Sequence, residues 1–231
     1  MCRISHRLIG IKQILLILQK IRTMGRNSRK DILYEKAFTL FLQHQYDGVS
    51  LSDIEKATNM TRGAIFYYHT SKLDLFKAVM KYYFINRQKV QTEIPFEGIS
   101  LKDFIDRYVE AIGQQMETLR RVVGETGATT ASKAYIILGL KLREYSEELN
   151  SEYTAIRNQI MANWVSALQN AEKTGEIKPQ KDIQTLASLF VCTYFGLSIW
   201  ESFQSGLDIE HLRHKFMYLY DMIKTDSGSP D

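Results

Sequence analysis

Between residues 50 and 72 the sequence reads SLSDIEKATNMTRGAIFYYHTSK, and two short helical patterns meet in it across a tight turn. In the first, residues 50–57, apolar Leu51, Ile54 and Ala57 recur at three-residue steps and give the segment one hydrophobic face. Ser50 and Asp53 stand at the spacing of a capping box. Thr58, Asn59 and Met60 then break the pattern, and Asn59 tolerates the left-handed backbone that such a turn requires. Thr61 is placed to cap a second helix over residues 62–69, whose front carries Arg62 beside the small residues Gly63 and Ala64, with Tyr67 and Tyr68 one turn on. Small residues let the helix N-terminus approach another surface closely. The positive end of the helix dipole favours an anion there, and a DNA phosphate is the obvious one. A scaffold helix, a short turn and a second helix with a basic, aromatic front make a helix-turn-helix.

The flanking sequence supplies partners for this pair. Residues 28–45 predict a helix capped by Ser28, with Ile32, Leu33, Ala37, Leu40 and Phe41 along one face. Gly48 is the expected positive-φ residue at its end. Ser71 and Asp74 cap a fourth helix carrying Leu75, Phe76, Val79, Met80 and Tyr83 at helical spacing and running to about residue 91. Within the second helix of the pair, Ile65 and Phe66 are expected to face the core.

These segments resemble the DNA-binding domain of the TetR family of transcriptional regulators. The resemblance rests on Ile32, Leu33, Ala37, Phe38, Leu40 and Phe41, then on residues 48–54 (GVSLSDI), 60–69 (MTRGAIFYYH) and 71–76 (SKLDLF), in the family's order and spacing. The chain departs from it at Phe66, where the family usually has Tyr, and at Tyr68 and His69, where it has His followed by Phe or Val. The resemblance implies an all-α, TetR-like fold: an N-terminal three-helix helix-turn-helix domain and a C-terminal helical bundle for dimerisation and ligand binding. It implies a regulator binding double-stranded DNA at a palindromic operator as a homodimer. By position, Ser50, Thr61, Arg62, Ala64, Tyr67, Tyr68 and Lys72 are the candidate DNA contacts. Arg62 is the one long donor at the helix front, for a guanine edge or a phosphate. Tyr67, Tyr68 and Lys72 match positions that hold the backbone, and Ser50 and Thr61 are caps first and phosphate donors second.

Charge distribution fits a nucleic-acid surface joined to a second module. Residues 1–90 hold 16 Lys and Arg against 6 Asp and Glu, whereas residues 91–231 hold 14 against 20. Half of the N-terminal excess lies in residues 1–22. Residues 1–24 are an N-terminal extension with three readings: sequence upstream of the true start, since Met24 precedes the domain; an amphipathic arm that follows DNA or packs on the core; or a membrane-surface helix. The apolar run at residues 8–18 is too short to span a bilayer and lacks a small-residue cleavage site. Cys2 and Cys192 have no metal-ligand spacing and fit free thiols in a reducing, cytoplasmic setting.

The pattern breaks around residues 95–98 (PFEG), which places a domain boundary there: residues 25–91 for the DNA-binding domain, with its helix-turn-helix at about 50–69, and 95–225 for a regulatory and dimerisation domain. The second domain predicts helices over residues 100–123, 132–145, 150–174, 182–204 and 208–224, a loop at 124–130 and a disordered tail at 226–231. Helix 182–204 is apolar nearly all round and so must be covered on all sides, most simply at a subunit interface. The resemblance implies the same, with helices 182–204 and 208–224 forming a four-helix dimer bundle. It also implies a small-molecule effector pocket, for which Tyr108, Tyr135, Trp164, Tyr194 and Trp200 are the aromatic candidates; ordinary core packing explains their helical spacing among apolar residues better. No cofactor, metal or membrane is implied. Two other classes remain open. His211 and His214, three apart beside Glu210, have a spacing that could grip a metal in an enzyme, but no third ligand is near in sequence. A protein-interaction module that kept the helix-turn-helix only as a scaffold is the other.

Overall fold

A computed structural model describes residues 28–123 and 131–225; the predictions for residues 1–24, the 124–130 loop and the 226–231 tail lie outside the described residues. The described chain is helical, in the order α1 (Arg29–His44), α2 (Leu51–Thr58), α3 (Arg62–Tyr68), α4 (Lys72–Met80), a π-helical turn (Lys81–Ile85), α5 (Asn86–Thr92), α6 (Leu101–Val123), α7 (Ala131–Tyr145), α8 (Glu147–Lys173), α9 (Ile183–Ser202) and α10 (Ile209–Ile223).

Side-chain caps set most of the starts. Ser28 with Asp31 and Ser50 with Asp53 form reciprocal capping boxes, and Thr61, Ser71, Ser146, Asp182 and Asp208 each accept from a first-turn N–H. Ser146 starts α8 three residues earlier than the sequence pattern predicts, because its hydroxyl accepts from Leu149 N and Leu149 is buried. Asn59 adopts the left-handed conformation between α2 and α3. Gly48 does not take a positive φ: Gln45 does, at 60°. Gly48 serves a different need, since a Cβ there would run into the His44 carbonyl.

The N-terminal helices close on one core. Leu33, Ala37, Phe38 and Phe41 of α1 are buried together with Ile54 of α2, Ile65 of α3 and Leu75, Phe76 and Val79 of α4. Phe41 meets Phe76 edge-on at 5.1 Å, and Phe38 stacks on Tyr83 of the π turn at 4.6 Å. Two expectations are corrected. Phe66 is 40% exposed instead of facing this core, and Ala57 is exposed while Thr58 is buried, so α2 packs through residues 54 and 58, four apart.

The C-terminal helices surround Trp164 of α8, which stacks on Phe190 of α9 at 4.6 Å and meets Phe104 of α6 at 4.9 Å and Phe216 of α10 at 5.4 Å. Glu176, after α8, accepts from Leu101 N at the start of α6 and from Tyr220 Oη of α10, tying three elements at one end. At the other end Tyr145, the last residue of α7, packs on Tyr46 and Phe76 and donates to Asp47 Oδ2 at 2.7 Å. The helix-turn-helix unit is thus fastened to the bundle by the α7 terminus as well as by the α4–π–α5 connection.

Candidate nucleic-acid interface and effector pocket

The cap at Thr61 fixes where α3 begins, and its hydroxyl accepts from Ala64 N at 3.3 Å. Arg62 follows on the exposed front and lies 3.6 Å from Glu55 of α2, so its guanidinium is aimed across the turn by a carboxylate it must leave to reach a base. Gly63 faces open space, with nothing near the position a Cβ would take, and Ala64 is half-buried. Tyr67 is 83% exposed and Tyr68 half-buried, the two rings meeting edge-on at 5.1 Å. Arg62, Gly63, Phe66 and Tyr67 are all exposed on this short helix, anchored beneath by Ile65.

Ser50 and Lys72 are more committed than their positions imply. The Ser50 hydroxyl accepts from Asp53 N and donates to Asp53 Oδ2 at 2.6 Å, so its proton is used in the cap. The Lys72 ammonium donates to the carbonyls of Tyr46 at 2.9 Å and Val49 at 2.8 Å and sits 4.0 Å from the centroid of the Tyr46 ring. Lys72 therefore holds the α1–α2 turn, and one N–H remains for any other acceptor. His69 closes α3 and is buried, with its Nε2 unpaired and its Nδ1 3.4 Å from Asp74. Burial lowers its pKa, an effect partly opposed by the Asp74 charge.

A cavity of about 440 Å³ opens among α5, α6, α7, α8 and α9, within the size range of small-molecule sites. Of the aromatic candidates, Tyr135 and Tyr194 line it. Tyr108 and Trp164 do not; both are buried in the aromatic core of the bundle. Trp200 is 71% exposed and does not line this cavity. Sequence reasoning passed over the rest of the lining, including Phe84, Gln88, Tyr153, Phe195 and the arginines Arg143 and Arg157.

Under the cavity lies a buried polar network absent from any motif. Gln88 and Gln115 both donate to Tyr135 Oη, at 2.7 and 2.8 Å, Gln91 donates to Gln115 and Gln88, and Tyr108 Oη donates to Gln91. Burial raises the pKa of Tyr135 far above the ordinary phenol range, so the hydroxyl stays protonated. Phe84 of the π turn stacks on Tyr135 at 4.3 Å and fills the space a side chain at Gly139 would need. Three buried glutamines could have been flagged only by knowing the helix faces, since Gln88, Gln91 and Gln115 read as ordinary surface residues in sequence.

One surface of α9 and the adjoining turn is left uncovered by the described residues. Leu189, Cys192, Gly196, Ile199, Trp200 and Phe203 recur at three- and four-residue steps and are all exposed, with Tyr218 and Met222 of α10 exposed as well. His211 Nδ1 sits 2.8 Å from Glu201 Oε1.

This geometry is that of a helix-turn-helix DNA-binding protein. The family model described as bacterial regulatory proteins, tetR family, matches residues 33–79. The chain is 27% identical over 202 residues to the HTH-type transcriptional repressor ComR of Escherichia coli (strain K12), spanning 84% of this chain and 89% of that protein. It is 35% identical over 52 residues to the biofilm operon icaADBC HTH-type negative transcriptional regulator IcaR of Staphylococcus aureus (strain Newman), a match limited to 28% of that protein. Among solved structures, a TetR-family transcriptional regulator from Rhodococcus sp. superposes with a TM-score of 0.62 at 20% identity, covering 85% of this chain and 99% of the other. The reduced form of E. coli NemR does so with a TM-score of 0.62 at 17% identity, covering 87% and 99%. Residues 33–79 thus match the tetR family model, and the chain, similar to a transcriptional repressor along most of its length, is a DNA-binding transcriptional regulator.

Proposed function

We propose that the protein is a repressor that binds a pseudo-palindromic DNA operator as a homodimer and is released by a small molecule entering the bundle pocket. The carrying observation is α3: a capped helix whose exposed front presents Arg62, Gly63 and Tyr67 and whose buried Ile65 fixes it on a rigid three-helix core. Residues 25–91 are the DNA-reading unit and 95–225 the regulatory one. Set in a major groove, α3 offers Arg62 to a guanine edge once its contact with Glu55 is exchanged, and Ala64 to a thymine methyl. Tyr67, Tyr68 and the Thr61 hydroxyl take phosphates beside it. Ser50 and Lys72 support the reading helix, Lys72 with one donor left for the backbone. ComR and IcaR are named repressor and negative regulator, which favours repression here.

One such unit makes too few contacts for tight binding, and the uncovered face of α9 and α10 supplies the second. Gly196 in the middle of that stripe lets a partner helix approach closely, with Trp200 and Phe203 as large apolar anchors. Helix α9 is long and apolar enough to cross a membrane. Its inner residues Leu186, Phe190 and Tyr194 nevertheless pack into the bundle core, which favours a soluble, cytoplasmic dimer over a membrane span. The same face and the α3 front outweigh the enzyme and scaffold-only alternatives.

The test is binding of the purified full-length chain to DNA from upstream of its own gene, followed by fluorescence anisotropy over a salt series. The expected result is saturable binding that weakens steeply as salt rises, with specificity lost in Arg62→Ala. Binding that ignores both salt and Arg62 would sink the proposal.

A further inference from the structure

The chemistry of the cavity points beyond the existence of an effector to its class. Its inner end is aromatic: Phe84 and Tyr135 stack there, with Tyr153 5.3 Å from Phe84. The polar groups at that end already satisfy one another, because Tyr135 Oη accepts from Gln88 and Gln115. An entering group would have to break those bonds to gain its own, so the inner end favours an apolar body. The mouth is different. Arg143 of α7 and Arg157 of α8 line it, both exposed. Among the described residues neither makes an ion pair with a carboxylate. The Arg157 guanidinium lies over the rings of Phe195 at 5.4 Å and Tyr153 at 6.0 Å, a stacking that leaves its in-plane N–H groups free. Among the described residues no Asp or Glu lines the cavity. Two nearby carboxylates are engaged elsewhere, Glu144 with Lys141 at 3.5 Å and Glu152 with Lys81. Two unpaired guanidiniums above an apolar chamber form a site with uncompensated positive charge.

We propose that the effector is an amphipathic organic anion, seated with its apolar body between Phe84, Tyr153 and Phe195 and its carboxylate or equivalent group on Arg143 and Arg157. This inference rests on the reading of the cavity as the effector site. The fork of each guanidinium suits a carboxylate by paired hydrogen bonds. A cationic ligand meets two like charges, and a purely polar one meets an aromatic inner end whose Tyr135 hydroxyl is already engaged.

The test uses the full-length protein and isothermal titration calorimetry with two matched pairs, 1-naphthoate against 1-naphthamide and decanoate against decanamide. At least one acid is expected to bind about tenfold or more tighter than its amide, equivalent to roughly 1.4 kcal/mol. The preference should shrink as salt rises. In the double variant Arg143→Gln/Arg157→Gln the acid and its amide should bind alike, with the melting temperature lowered by no more than about 4 °C, since both side chains are exposed and only the Arg157 ring contacts are lost. Amides that bind as tightly as the acids overturn the anionic class and leave the cavity as an effector site. An acid preference that survives the double variant overturns the assignment to these two arginines. Absence of binding by all four compounds overturns both the class and the cavity reading.

Discussion

Replacing Lys72 by Met separates two roles that the sequence could not. The family position predicts a phosphate contact, whereas the structure gives the ammonium two carbonyls, Tyr46 O and Val49 O, and the face of the Tyr46 ring. A hydrogen bond from a charged donor contributes roughly 1.5–3 kcal/mol, and a cation over an aromatic face about 0.5–1 kcal/mol near the surface. Both hydrogen bonds come from one ammonium, and water can reach the half-buried turn at Tyr46, so the pieces do not add in full. A net loss of about 2–3 kcal/mol is expected, which in a chain of this size lowers the melting temperature by roughly 5–10 °C. Circular dichroism melts without DNA measure it directly. Lys72→Met within about 0.5 kcal/mol of the parent, the range of a neutral surface change, would refute the clamp. If the remaining N–H also holds a phosphate, the salt dependence of DNA binding should lose roughly one charge per head in the same variant.

Tyr135→Phe leaves the amide groups of Gln88 and Gln115 without their shared acceptor in a buried site, and chemical denaturation should show a loss of about 2–3 kcal/mol; an unchanged midpoint would mean the network contributes nothing. Trp200→Glu with Phe203→Glu places charge on the uncovered face, so sedimentation should show a monomer that retains its helical content and loses operator binding, while a persistent dimer would move the interface elsewhere. The His69 pKa is lowered by burial, so the folded state holds the neutral ring more strongly than the unfolded chain does. The stability it confers is present above the ordinary value of 6.5 and is lost as pH falls through the depressed folded value. Melts between pH 7.5 and pH 5 should therefore fall more steeply for the parent than for His69→Phe, and parallel curves would remove His69 from the account.

How much of this was legible depended on whether the signal was local. Caps were, because Ser50 with Asp53, Thr61 and Asp182 act on N–H groups within the next turn. The left-handed Asn59 was legible for the same reason, and part of the apolar surplus of helix 182–204 is exposed among the described residues. The failures required knowledge of rotation or distance. Phe66 and Ala57 were assigned to the core by apolar character, yet α2 and α3 are too short to bury more than one narrow stripe. Trp200 read as a pocket candidate from its aromatic character among apolar neighbours, but six residues on from Tyr194 it is turned by about a third of a turn around α9, onto the exposed face. The π turn at Lys81–Ile85 has no proline or glycine to mark it, and it places Phe84 against Gly139. The partners of Lys72 lie 23 and 26 residues away, and the glutamine network joins three helices, so neither leaves a trace in local spacing.

In the proposed complex two α3 helices read DNA from one dimer. Selection of a random duplex library by the full-length protein, followed by sequencing, tests that most directly. The predicted result is a two-fold symmetric motif whose half-sites are centred about 34–36 Å apart or at a multiple of that repeat. Relaxed preference at one base pair in each half-site is expected for Arg62→Ala. Enrichment of no motif by a folded, dimeric sample, or of a motif indifferent to Arg62, would contradict it.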